Sequence, residues 1–154
     1  MKKETLKRIF EFLEEKGEHN APVMWKYMNN IPLTEDDLNI EGDLDLSGIE
    51  ATSLPEGLKI KGNLNLQFSK IISLPRDLNI KGDLNLVGTK IKSLPEGLEV
   101  GGNLNLKYTK ITSLPKGLQV GGDLFIRVSV FAMDLDDELR EMVKPGFIKG
   151  RIVR

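Results

Sequence analysis

Hydrophobic and polar positions follow one phrase, written almost five times between residues 38 and 126: LNIEGDLDL, LKIKGNLNL, LNIKGDLNL, LEVGGNLNL and LQVGGDLFI. Gly42, Gly62, Gly82, Gly102 and Gly122 recur at a step of 20 residues, as do Leu44, Leu64, Leu84, Leu104 and Leu124. Between copies stands Ser-Leu-Pro, beginning at Ser53, Ser73, Ser93 and Ser113. The alternation Leu-x-Ile and then Leu-x-Leu is the period-2 signature of half-buried strands and is too brief for helical turns. A fixed period of this length predicts units that bury their apolar edges only by stacking on one another. The apolar columns begin at Leu38, Ile40, Leu44, Leu46, Ala51 and Leu54, and each is repeated down the chain, so six positions per turn are expected to point inward.

The glycine column falls where the chain must bend between two strand-like pieces, which predicts either a positive φ or a close approach of stacked backbones. Leu-Pro supplies the opposite corner, because proline fixes φ and donates no ladder hydrogen bond. The serine before it, repeated four times, is expected to satisfy a corner backbone group and not to act as a nucleophile, which would also need a positioned base.

Outside the repeats, Leu6, Ile9, Phe10 and Leu13 predict an amphipathic helix over 3–16, stopped at Gly17. A short second helix is expected from Pro22 to Met28; its Trp25 and Tyr27 either help cap the stack or form a contact site. Residues 31–37 read as an irregular lead-in. After the last full copy, Phe125, Ile126, Val128, Val130 and Phe131 are unusually apolar, as a covered last rung would be. Asp134 is placed as an N-cap, and Leu135, Leu139, Met142 and Val143 form a helical stripe ending at Pro145-Gly146. That helix is expected to close the stack. The tail FIKGRIVR is a candidate final strand, with Lys149, Arg151 and Arg154 keeping it soluble.

Composition narrows the function classes. A net charge of -1 over 154 residues argues against a chain built to neutralise many phosphates. With no cysteine there is no disulfide framework, thiolate metal site or cysteine nucleophile, which fits a reducing compartment. The first residues are basic, but Glu11, Glu14 and Glu15 interrupt the apolar positions, so no secretory signal is expected. No apolar run reaches the 18 residues or so of a membrane span. His19 is the only histidine, so no histidine triad or multi-histidine metal site can be assembled. No phosphate-binding loop occurs. The expectation is a non-enzyme without cofactor or metal.

TKIKSLPEGL, residues 89–98, with Leu104-x-Leu106 as its strand, resembles the short leucine-rich repeats of bacterial effector proteins. Ser69, Thr89 and Thr109, and Ile49 in the first unit, stand where that family has asparagine. The SLPEGLxVGGxLxL phrase is also similar to that of repeat proteins found in bacterial and phage genomes. The resemblance covers about residues 38–126 and implies a cytoplasmic protein-interaction scaffold in a bacterial or phage-infected cell. It carries over no catalytic residue, since the effector ubiquitin ligases that share such repeats use a cysteine in a separate domain.

Comparison of the repeats with one another separates the positions the fold dictates from those it leaves free. Asp43, Asn63, Asp83, Asn103 and Asp123 form one nearly fixed polar column; Asp45, Asn65, Asn85 and Asn105, then Phe125, form another. These read as side-chain ladders, with a polar recognition face or a cation at Asp43 and Asp45 as the rival; the G-G-x-G-x-D spacing of calcium repeats is missing. The freest columns follow the second strand. There Phe68, Val87, Lys107, Tyr108 and Arg127, with Phe125, have the composition of a protein-binding hot spot. Lys70, Lys90 and Lys110, following Glu50, make a basic stripe on the return side.

The expected architecture is thus α+β: a leucine-rich-repeat-like parallel β-solenoid of about five 20-residue turns, with one or two short strands per turn and α-helical caps at both ends. It forms a single domain over 1–154, with 1–37 as N-terminal cap and lead-in, 38–128 as repeats and 129–154 as C-terminal cap helix and tail. The expected function is to bind a protein partner through a rigid face. The alternatives are a phage or host-conflict inhibitor, a self-assembling structural protein, and an anion or nucleic-acid binder using the lysine stripe. Nucleic acid is the less favoured partner, and no membrane partner is expected.

Overall fold

The computed structural model describes residues 21–126 and 136–154. The helix expected over 3–16, His19, Arg127, Val128, Val130, Phe131 and the Asp134–Leu135 helix start lie outside them.

The chain coils as a parallel β-solenoid with two strands per circuit. β1 (Asn39–Ile40), β3 (Lys59–Ile60), β5 (Asn79–Ile80), β7 (Glu99–Val100), β9 (Gln119–Val120) and β11 (Phe147–Ile148) form the first sheet in that order. β2 (Leu44–Asp45), β4 (Leu64–Asn65), β6 (Leu84–Asn85), β8 (Leu104–Asn105), β10 (Leu124–Phe125) and β12 (Ile152–Val153) form the second. Like residues face like residues, as in Ile40 opposite Ile60 and Leu44 opposite Leu64. Alternation turns Ile40, Ile60, Ile80, Val100 and Val120 inward from one sheet and the Leu44-to-Leu124 column inward from the other. With Leu46, Ala51, Leu54 and Leu58 and their equivalents they make one continuous core. Leu38, the first of the Leu58 column, is only half-buried.

The glycine corner is explained by close approach from Gly62 onwards; at Gly42, on the first rung, a Cβ would meet no described atom within 4 Å. None of the five has a positive φ, but a Cβ on Gly62 would lie 2.5 Å from the carbonyl carbon of Gly42, and one on Gly82 would lie 2.6 Å from the Gly62 oxygen. Both distances are far inside van der Waals contact, so no larger residue fits between stacked rungs. The serine expectation is corrected. Ser53 Oγ meets the Tyr27 hydroxyl at 3.0 Å, and Ser73, Ser93 and Ser113 point to solvent without a hydrogen bond to a corner backbone group of the described residues.

At the N-terminal side, α1 (Ala21–Met28) buries Val23 and Met24 in the same core. The lead-in is not irregular throughout. Thr34 caps a one-turn helix, α2 (Glu35–Leu38): Asp37 N–H donates to Thr34 Oγ1 at 3.2 Å and Thr34 N–H to Asp37 Oδ2 at 2.9 Å. This reciprocal box satisfies two amides that an open helix end would leave unpaired. Lys26 then ties α1 to Asp37 at 2.6 Å.

The tail contributes more than one strand, supplying β11 and β12 and so a strand to each sheet. The sequence step widens there from 20 to 28 residues, and the longer connection carries α3 (Asp136–Met142). Leu139 and Val143 are buried in the core. No helix among the described residues is long and apolar enough to cross a membrane.

Candidate interaction surface

The first four circuits leave the second sheet through the same tight turn. The fourth-residue amide donates to the first-residue carbonyl in 46–49, 66–69, 86–89 and 106–109, at 3.0 to 3.2 Å. The side chains of Asp45, Asn65, Asn85 and Asn105 set the turn up: their Oδ1 atoms accept from the amides of Ser47, Gln67, Val87 and Lys107 at 2.9 to 3.2 Å. Neighbouring circuits clamp it, with Gly48 N–H donating to Gln67 O, Phe68 N–H to Val87 O and Gly88 N–H to Lys107 O.

The third residue of this turn is left-handed in all four: φ is 67° at Gly48, 56° at Phe68, 70° at Gly88 and 60° at Tyr108. Glycine takes that conformation freely, and type II turns select it for this reason. An L-residue with a side chain is strained there by roughly 1–2 kcal/mol. Phe68 and Tyr108 bear that strain while 64% of each remains exposed, so core burial does not offset it. Two rungs at about 4.8 Å each separate them, with Gly88 between.

Of the remaining expected residues, Val87 is half-buried in the same turn. Lys107 Nζ lies 5.6 Å from the centroid of the Phe125 ring, a cation–π contact on the outer face of the second sheet. Lys70 pairs with Glu50 at 2.5 Å; Lys90 and Lys110 continue that stripe in solvent. Ile72, 55% exposed, was not singled out from sequence. Its signal was an isoleucine in a column otherwise held by Thr52, Lys92 and Thr112.

The alternative polar face is occupied by structural bonds. Oδ1 of Asp43, Asn63, Asp83, Asn103 and Asp123 accepts the amide of the equivalent residue one rung on, at 2.6 to 2.8 Å. Arg151 ends the column, its guanidinium 2.8 Å from Asp123 Oδ2. That guanidinium bond, with the Arg151 amide, holds the Asp123 carboxyl below the usual carboxylate range. Asp45 is also lowered, first by the Ser47 amide. Among the described residues no three His, Cys, Asp or Glu side chains converge as metal ligands. A shallow groove of about 270 Å³ beside β1 and β3 is lined by Glu41, Lys59, Lys61 and Lys81, and Lys61 spans it to Glu41 at 2.8 Å.

No protein-family model, curated protein or solved structure matches this chain.

Proposed function

We propose that the chain is a non-catalytic interaction scaffold whose turn ridge, centred on Phe68 and Tyr108, binds a segment of another protein. One observation carries the reading: two large aromatics occupy strained, left-handed turn positions, exposed, in a column where Gly48 and Gly88 take the same conformation. Strain retained without burial marks functional positions, and exposed aromatics beside cations have hot-spot composition. Lys70, Lys90, Lys107 and Lys110 flank the ridge, and Glu50 is the single acid in the stripe. The partner segment that suits it is therefore acidic, recruited faster at low salt. The leucine-rich-repeat-like reading of the coil, with α1 and α3 as its helical caps, and a cytoplasmic location belong to the same proposal.

The test is capture by crosslinking in the cell of origin, comparing the native chain with F68G/Y108G. Glycine fits the turn without strain, so the variant keeps its fold. Loss of the crosslinked partner with an unchanged melting temperature supports the reading. Undiminished crosslinking overturns it.

A further inference from the structure

From β3 on, each circuit of the first sheet passes at least two backbone hydrogen bonds to the one before it, and β5, β9 and β11 pass a third at the start of the strand, as from Phe147 N–H to Leu118 O. One runs to the inward residue of the strand: Lys61 N–H to Ile40 O, Lys81 to Ile60, Gly101 to Ile80, Gly121 to Val100 and Lys149 to Val120, at 2.8 to 3.0 Å. The other runs along the glycine corner, from Gly62 N–H to Gly42 O and so on to Gly150 N–H and Gly122 O, at 2.8 to 3.1 Å. On the β11 circuit the corresponding acceptors are Ile148 O and Gly150 O, and β11 is the outermost strand of this sheet among the described residues.

Both are taken by one side chain. Arg140 on α3 donates from Nη1 to Ile148 O and from Nη2 to Gly150 O, the latter at 2.8 Å. The two prongs of its guanidinium thus replace the two successive amides that a further circuit would bring. Arginine carries coplanar donors on two separate nitrogens in a fixed fork; a lysine ammonium has its three donors on one nitrogen and no such fork. Placement follows from the enlarged last circuit. α3 is anchored by buried Leu139 and Val143 and by Asp136, which meets Arg154 at 2.6 Å, so Arg140 is held against the edge.

An open edge of this kind is a template for strand addition. In a repeat chain the best-matched addition is the first circuit of a second copy, because Glu41 and Gly42 stand in the same columns as Lys61 and Gly62. Such a contact is head-to-tail and does not close, so it would propagate into filaments. We infer that Arg140 is an edge stopper: it occupies two of the acceptors through which a second copy would add its first rung, and so keeps the solenoid finite. The corner column agrees, since Arg151 replaces the acidic or amide side chain that would accept the next amide.

Light scattering over a concentration series tests this on the full chain, with circular dichroism to report folding. Folded R140A is expected to rise from 17.3 kDa to multiples of that mass. The native chain and R76A, which removes an exposed arginine remote from the last circuit, are expected to stay at one mass. R140A that is folded and stays single overturns the inference; so does association of R76A or of the native chain to the same extent. Where R140A fails to fold, R140K decides: it retains length and charge without the two-pronged donor and is expected to associate. A folded, single-mass R140K would overturn the proposal.

Discussion

The ring of Phe68 fills the space into which a side chain on Gly88 would project. A Cβ built on Gly88 would lie 2.4 Å from Cδ1 of that ring and 2.6 Å from Cε1. The glycine and the aromatic are therefore one unit: the ring leans onto the next circuit because that circuit has nothing there. Gly88→Ala should destabilise the protein by about 1–2 kcal/mol through its left-handed φ, plus the displacement of the ring. In an F68G background the second contribution vanishes. A double-mutant cycle by urea unfolding should show coupling between the two substitutions; strictly additive losses would contradict the geometry.

Phe68→Gly and Tyr108→Gly should leave stability nearly unchanged. Relief of strain at each site, roughly 1–2 kcal/mol, is opposed by about 0.4–1 kcal/mol from the freer unfolded chain and by the lost contact of the ring. Thermal unfolding should place both variants within a few degrees of the native chain. A large fall in melting temperature would mean that the aromatics serve packing, and would remove the argument that they are kept for binding.

The corner ladder makes a sharper distinction between substitutions. Asp83→Asn keeps an Oδ1 acceptor for the Asn103 amide, as Asn63 already does for Asp83, and should be close to neutral. Asp83→Ala leaves that amide without its partner in a half-buried site and should cost about 1–3 kcal/mol. Equal melting temperatures for the two variants would show that the ladder contributes nothing.

The coil itself was legible because each inward column repeats at a fixed step. The Leu44, Leu64 and Leu84 series needs only sequence spacing to be placed on one face. Four features were hidden for separate reasons. Glycine letters at 62 to 122 are compatible with either of two backbone causes, and only the distance between stacked rungs chose close approach. The left-handed state of Phe68 and Tyr108 was disguised by side chains that usually avoid it, although Gly48 and Gly88 in the same column carried the hint. The tail circuit lacked the step of 20, because the connection bearing α3 lengthens it. Arg140 followed no pattern at all: its role exists only once Ile148 and Gly150 are seen as the end of a sheet. Of the interaction surface, the aromatic pair was legible as a break in a column, whereas the strain that gives it weight was not.

Acid should unfold the chain through carboxylates held below their ordinary value. Asp123 is lowered by the Arg151 guanidinium and amide, and Asp45 by the Ser47 amide and hydroxyl. At Asp37 burial pushes the carboxyl up, but the Lys26 ammonium and the Thr34 amide and hydroxyl outweigh it and leave the group lowered. A group whose folded value lies below its unfolded value binds its proton more readily in the unfolded chain, so falling pH favours unfolding. These contributions are complete above the unfolded value near 3.8 and disappear as pH falls through each folded value. Stability should thus be insensitive to these groups at neutral pH and decline in acid. Asp45→Asn retains the acceptor used by Asn65, Asn85 and Asn105 and removes one titrating group, so its curve should be shallower in acid. The stability difference between the native chain and D45N should be greatest at neutral pH and shrink as Asp45 is protonated. Urea unfolding across the acid range measures this, and a difference that grew with acid would reverse the assigned direction for Asp45.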